Sequence, residues 1–562
     1  MSGPRPPSFR RAALAIGLAM PVLARAAAPE LDQLFPIAFR NGTTNPVALV
    51  GKIEPWPPRI WTDHPGIVFN PGTNAAACTV AIAPGVAPGP HWIRLFGPEG
   101  ASAPHFLVVT PGPSTPEIEP NDHFAHAQSV TNLPAVVDGR FEKSSDVDSY
   151  AVALRAGQTL LARLEAHVLT SPVDAVLRIV DSRGVEVAFN HDDGRTLDPF
   201  VAWTAPAAGT YVVQAFGFPH PGATDIRFVG NARCVYRLTL SGGPWLSHAI
   251  PLVACRGTTN HLALSGWNLP PSLAPGLGFP SSAATGSVLS VRIPGAAEDL
   301  RVPLADEPQR AEREPNDLPG QAQPLPFPGA VTGRIERADD IDRYLVDLPA
   351  TPVEFVVQSA ALGFPVDARL RIEDSQGKIV ARADESTLGD PVLAWTPPTA
   401  GKYRVAIDNL LHRGGDRMFY HLAVRVPQPA VEFALAEGSI VVEPGKTNET
   451  KIAVTRRGGF TNAVSIRVEG LPAGIVALPS DVAANAAEGT VRLVAATNAP
   501  PANVPLHVVA TTAGKMHPVG FPLVSAGENN GVPQGFKHLL AERIDQLWLT
   551  VRSPATNAAP AK

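Results

Sequence analysis

At 562 residues the chain exceeds what one hydrophobic core supports, so four or five domains of ordinary size are expected. Apolar residues at 45% and charged residues at 17% exclude a disordered composition. A net charge of -5 with a pI near 6.3 excludes the general electrostatic attraction that nucleic-acid binding needs.

The first 26 residues read as an export signal. Arg5, Arg10 and Arg11 precede the apolar run Ala12 to Leu23, and Ala24-Arg25-Ala26 supplies an A-x-A cleavage site, with cleavage expected after Ala26. The Arg10-Arg11 pair also permits a twin-arginine route. The apolar run is too short to span a bilayer comfortably, and no later stretch reaches the ~18 apolar residues of a spanning helix. The mature chain is therefore expected to be secreted, or periplasmic and associated with the cell envelope, with no transmembrane segment.

Beyond the signal, the chain repeats itself. EIEPND (Glu117 to Asp122) recurs as EREPND (Glu312 to Asp317), and DGRFEKSSDVDSY (Asp138 to Tyr150) as TGRIERADDIDRY (Thr332 to Tyr344). SPVDAVLRIVDSRG from Ser171 recurs from Phe364, and DPFVAWTAPAAGTY from Asp198 recurs from Asp390. The offset falls only from 195 residues at Glu117/Glu312 to 192 at Asp198/Asp390, so these are two copies of one long unit. A shorter repeat alternates with it: NGTTNPVALVG (Asn41 to Gly51) resembles RGTTNHLALSG (Arg256 to Gly266). A fifth unit follows from about Val431.

The 60 prolines, about twice the ordinary usage, and the 48 glycines suit short strands and turns. Runs such as Leu160 to Leu164 and Ala175 to Val180 have strand-like lengths, and neither repeat shows sustained helical periodicity. The expected fold class is all-β, as tandem β-sandwich domains. The exception is Phe536 to Leu547, where Phe536, Leu539, Leu540, Ile544 and Leu547 fit one helical face or, at the end, a strand. The last residues, SPATNAAPAK, read as a disordered tail.

EPND, the D-x-D-x-Y stretch, the VDAxLRI strand and the AGxY strand make the long repeats resemble the bacterial pre-peptidase C-terminal domain, a jelly-roll-like β-sandwich found on many secreted proteases and on non-peptidase surface proteins. The short repeats look like IPT/TIG-type immunoglobulin-like domains through their RGTT turn. NAVSIRVEGLPAG (Asn462 to Gly474) makes the fifth unit resemble the Ig-like modules that follow such domains. The expected division is a signal at 1–26, Ig/TIG-like domains at 27–113 and 244–307, and pre-peptidase-like domains at 114–243 and 308–428. An Ig-like domain at 429–528 and a C-terminal segment at 529–562 complete it.

In calcium-binding members of that family the acidic linker E-x-E-x-N-D and a following D-x-D supply the ligands. The resemblance thus implies Glu117, Glu119, Asn121, Asp122, Asp146 and Asp148 in the first copy, and Glu312, Glu314, Asn316, Asp317, Asp340 and Asp342 in the second. The chemistry fits: calcium takes six to eight oxygen ligands, and carboxylates with an amide carbonyl are hard donors. Alternation along an extended segment puts Glu117, Glu119 and Asn121 on one side. The competing reading is a solvated acidic linker and turn. Neither copy has the downstream glutamate of an EF-hand.

Other residues invite catalytic or ligand roles and receive plainer ones. His191-Asp192-Asp193 is matched by Ala383-Asp384-Glu385 in the second copy and reads as a loop. Trp203 and Trp395 occupy equivalent positions and are expected to pack. Phe216 and Phe218 suggest an aromatic strip like the collagen-contacting surface of collagenase modules, but the second copy has Asp408 and Leu410 near there. Gly445-Lys446-Thr447 resembles the end of a phosphate loop, yet its spacing to Gly438 is wrong and a turn is expected. A Cys234–Cys255 disulfide is conceivable in an export compartment, with buried free thiols the simpler reading. No HExxH, GxSxG or CxxC occurs.

The expectation is a secreted, non-enzymatic binding or spacer protein with calcium as its cofactor. Its partner would be a protein or polysaccharide at the cell surface or outside the cell. The alternative is an accessory subunit or non-catalytic part of a secreted peptidase system.

Overall fold

The computed structural model describes residues 27–553 except 194–195, 223–226, 272, 274–275, 282–286, 297, 385–389 and 524–538. The expected signal at 1–26, the tail beyond Ser553 and the start of the Phe536 to Leu547 segment lie outside the described residues.

Strands dominate, joined by turns and a few 3-10 turns, and the sheets come in facing pairs. In the N-terminal sandwich, Gln33–Phe35, Thr43–Val50, Cys78–Ile82 and Ile67–Asn70 form one sheet. Ala38–Arg40, His105–Thr110, Gly89–Gly97 and Arg59–Thr62 form the other. The two long repeats each fold into two five-stranded sheets with the same strand order, so the sequence repeat is also a topological one. Between them lie two three-stranded sheets. The chain is thus a tandem all-β protein built of sandwiches.

Each core follows from alternation. In Val173–Val180 of the first long repeat, Val173, Ala175, Leu177 and Ile179 point inward beside Leu160, Leu164, Tyr150 and Tyr236. Trp203 packs half-buried at the rim of that core, edge-on to Tyr211 at 4.7 Å, and Trp395 does the same with Tyr403 at 5.1 Å. Packing is therefore what these two tryptophans do.

The long repeats share one feature that positions the acidic linker. Thr115–Pro116 pairs in parallel with Val137–Asp138 in one sheet, and Gln128–Val130 pairs in parallel with Tyr150–Val152 in the other. The segment between them must cross the open edge of the sandwich from sheet to sheet. The second copy repeats this with Gln309–Ala311 and Gln323–Pro324.

The C-terminal sandwich departs from helical expectation. Leu547–Val551 is a strand between Ser439–Val442 and Ala502–Thr512, the strand alternative of the sequence reading. Leu547, Leu549 and Val551 join the core of this sandwich, while Trp548 and Thr550 face the other way. There Trp548 is buried against Trp61 and Phe96 of the N-terminal sandwich, at 5.7 and 5.2 Å. Arg94, itself buried, lies over the same indole and donates to the Gly438 carbonyl at 2.8 Å. The first and last sandwiches are docked.

All three cysteines are free thiols, with Cys78 and Cys234 buried and Cys255 half-buried. Gly445, at φ 75°, sits in a tight turn in which the Lys446 N–H donates to the Glu443 carbonyl.

Candidate metal centre

The edge-crossing linker of the first long repeat brings its acids against the strand that begins at Asp148. One carboxylate oxygen each of Glu117, Glu119 and Asp148 lies within 4.8 Å of the others, and Glu312, Glu314 and Asp342 repeat the arrangement in the second copy. These two clusters can hold a metal ion.

In the first copy Glu119, Asp146 and Asp148 are each fixed through one oxygen and leave the other open, whereas Glu117 is bonded through both. Glu117 accepts from the Arg140 N–H at 2.8 Å and from the Tyr236 hydroxyl at 3.2 Å. Glu119 Oε2 accepts from the Asn121 N–H at 3.1 Å, a local turn that folds the E-x-N stretch back on itself. Asp146 Oδ2 accepts from the Glu142 N–H, and Asp148 Oδ2 from the Tyr236 hydroxyl at 2.6 Å. What remains is a set of buried oxygens with no hydrogen-bond partner: Glu119 Oε1, Asn121 Oδ1, Asp146 Oδ1 and Asp148 Oδ1. Buried polar atoms are almost always satisfied, so four orphans in one place call for a ligand.

The second copy is built alike but is more satisfied internally. Glu312 accepts from the Arg334 N–H at 2.7 Å and the Tyr344 hydroxyl at 2.6 Å, and Glu314 from the Asn316 N–H at 2.8 Å. The Asn316 amide, however, donates to Glu312 at 2.7 Å and accepts from the Arg343 N–H at 3.3 Å. Of the oxygens of these residues, Asp340 Oδ1 and Asp342 Oδ1 remain buried without a hydrogen-bond partner.

Asp122 and Asp317 sit on the outer side. Asp122 pairs with Lys143 at 3.0 Å and Asp317 with Arg337 at 2.5 Å. The adjoining Asp146 carboxyl, then Lys143, hold the Asp122 carboxyl below the ordinary range. Burial opposes the same effect at Asp317, where the adjoining Asp340 and the hydrogen bond from Arg337 prevail. Of the twelve expected residues, six form the two triads, Asn121, Asp146, Asn316 and Asp340 adjoin them, and these two aspartates are held by cations at the rim.

Electrostatics marks the interior. Burial, followed by the like charges of Glu119 and Glu142, pushes Glu117 up to about 8. Asp146 and Asp340 rise to about 6, first through burial. Asp148 and Asp342 lie well above the ordinary carboxylate range through burial and then the charges of Glu117 and Glu312. Carboxylates gathered out of water resist ionising together unless a cation joins them.

The tyrosines that orient the acids were not among the expected site residues. Tyr236 and Tyr420 are buried and each donates at 2.6 Å to the second aspartate of D-x-D. Gly139 and Gly333 make room: a Cβ on either would meet the tyrosine ring at 2.2 or 2.4 Å. The signal was present in the sequence, since VYRL (Val235 to Leu238) and FYHL (Phe419 to Leu422) place a tyrosine at matching points of both copies.

Elsewhere, His191 pairs with Asp192 at 2.9 Å and Asp193 with Arg417 at 2.8 Å, as in a charged surface loop. Phe216 is buried under Phe228 at 4.5 Å, and the second copy puts Asp408, paired to Arg369, on that face.

No family model matches the chain, and no curated protein matches it. Among solved structures, the pre-peptidase C-terminal domain of a Bacillus anthracis collagenase is similar at 14% identity, over 20% of this chain and 99% of its own, with a TM-score of 0.16. The D00-D0 domain of intimin follows at 15% identity over 32% and 89%, TM-score 0.14. Domains 1–6 of the surface layer protein SbsC match at 8% identity over 74% and 54%, TM-score 0.16.

Proposed function

We propose that the chain is an exported, non-catalytic binding or spacer protein whose two long-repeat sandwiches each hold calcium at the sheet edge, in domains of the pre-peptidase C-terminal type. The observation that carries this reading is the set of orphaned buried oxygens around Glu119 and Asp148, with a matching triad in the second copy. The donors are carboxylates and an amide, with no nitrogen or sulfur ligand, which suits a hard cation. An irregular multi-oxygen set favours calcium over magnesium, which demands strict octahedral geometry. Bound there, calcium supplies the charge that lets the buried acids stay ionised, and it ties the linker to the sandwich.

The strongest carboxylate shifts fall at these repeated edges, where each acid is held by backbone and tyrosine donors. This is the pattern of a structural cage. The division at 27–113, 114–243, 244–307, 308–428 and 429–528 is proposed with it, as is a protein or polysaccharide partner outside the cell.

The test is a melt of the mature chain with millimolar calcium, with magnesium and with chelator. Calcium should raise the melting temperature and magnesium do much less; identical melts in all three overturn the metal assignment. N-terminal sequencing of the natural protein should begin at or near Ala27.

A further inference from the structure

A cleft of about 340 Å³ opens where the first long repeat, the second short repeat and the second long repeat meet. Its floor is aromatic. Trp245 and Trp267 are directly paired across antiparallel strands and so stand on one face of their sheet. Phe200, from the edge strand of the neighbouring sandwich, packs against both rings at 5.2 and 4.9 Å. Both tryptophans are half-buried, and neither indole N–H has a hydrogen-bond partner among the described residues.

The walls carry both signs of charge. Arg163 reaches across the domain boundary to Glu298 at 2.5 Å, and Arg417 of the second long repeat closes the far side on Asp193 at 2.8 Å. Asp198 is buried and held by the N–H groups of Ala166, His167 and Val168 at 2.7 to 3.0 Å, so this wall is rigid. Arg301 lines the cleft with no ion pair or side-chain hydrogen bond among the described residues.

This composition selects a ligand. Mixed charges give no preference for a phosphate or a cation, and open donors beside a charged wall disfavour a purely apolar guest. A pyranose ring has an apolar C–H face that lies on an indole and a girdle of hydroxyls that bond carboxylate, guanidinium and indole N–H. The volume is at the small end of the roughly 300–1,000 Å³ range of ligand pockets. We propose that this cleft binds saccharide, one or two sugar units of a polysaccharide, with Trp245 and Trp267 as stacking platform and Glu298 and Arg301 as hydroxyl partners. The proposal rests on the binding-protein reading above and names its ligand, but it does not depend on calcium.

The experiment uses the full mature chain on a glycan array, then titrates the array hits, with chitotetraose, cellotetraose and xylotetraose included, in calcium and in chelator. At least one saccharide should bind in both conditions. Its affinity should fall about tenfold or more in Trp267→Ala, as expected of a central aromatic contact, and measurably in Arg301→Ala. The exposed Phe189→Ala, on the other sheet of the first long repeat, should change nothing. Arg301→Ala carries the test should Trp267→Ala unfold the junction, since Arg301 is exposed and its side chain makes no ion pair or hydrogen bond among the described residues. The proposal is overturned if no saccharide binds, if binding ignores both cleft variants, or if an unglycosylated peptide competes for the cleft instead. Melts of the same samples read the calcium assignment separately, so either reading can fail alone.

Discussion

The Tyr236 hydroxyl donates to Oδ2 of Asp148 at 2.6 Å and leaves Oδ1 of the same carboxylate buried without a hydrogen-bond partner. One oxygen is thereby spent on orientation and the other is left for a cation. Partners that orient metal ligands typically matter by 10- to 100-fold in metal affinity. Tyr236→Phe keeps the ring and its packing on Phe141 at 4.7 Å while removing the donor. Calorimetry should show calcium affinity at the first site reduced by about tenfold or more, with the second site unchanged. An unaltered first site would show that the tyrosine only fills space.

Removing charge should have opposite effects with and without metal. A cation that binds only the folded state stabilises it by about 2.7 kcal/mol at a hundredfold excess over Kd, several degrees in melting temperature. Glu119→Gln with Asp146→Asn should abolish the first site's share of that response, and Glu314→Gln with Asp340→Asn the second's. In chelator the same variants should melt slightly higher than wild type, because buried like charges are relieved. A calcium response that survives all four substitutions would place the metal elsewhere.

The two sites should not be equal. Asn121 offers an unpartnered amide oxygen, whereas Asn316 is already bonded to Glu312 and the Arg343 N–H. Binding at the second site must break those bonds, so calcium should titrate the first site before the second. Equal affinities, or the reverse order when each site is inactivated in turn, would contradict this.

The five acids and one asparagine singled out in each copy were legible because the sequence repeats them, and strand periodicity was legible in runs such as Ala175 to Val180. Tyr236 escaped because it lies 119 residues from Glu117, and only the closure of the sheets brings it there. Trp548 escaped for a related reason. LWLTV alternates as a strand does, but nothing local says that its outward face meets Trp61, 487 positions earlier in the numbering. Local pattern encodes elements; the contacts that assemble a site or join sandwiches are set by topology.

That Trp548 contact can be tested by truncating it. The inward residues Leu547, Leu549 and Val551 remain in Trp548→Ala, so the C-terminal sandwich should stay folded. The N-terminal sandwich loses the indole against Trp61, Phe96 and Arg94, at a cost of about 3–5 kcal/mol for a buried aromatic. Small-angle scattering should report a larger radius of gyration if the two ends separate. An unchanged radius would mean that the remaining contacts, such as the Arg552 guanidinium donating to the Glu99 carbonyl at 2.9 Å, suffice.

Acid should weaken the second long repeat through His421. This imidazole is buried, shares a hydrogen bond with Gln309 Oε1 at 2.9 Å, and has its Nδ1 buried without a partner. Burial, then the charge of Arg425, pushes it down to about 4. The unfolded chain, with histidine near 6.5, therefore binds more protons than the folded one between about pH 6.5 and 4. Stability is fully present above that window and falls as pH drops through it, by at most about 3 kcal/mol. His421→Gln has no proton to gain. Its melting temperature should lie below wild type at pH 7.5, where the native packing is lost for nothing, and the gap should narrow or reverse by pH 4.5. The comparison is made in chelator, so that proton competition for calcium does not enter, and a gap independent of pH would show that His421 does not titrate in this range.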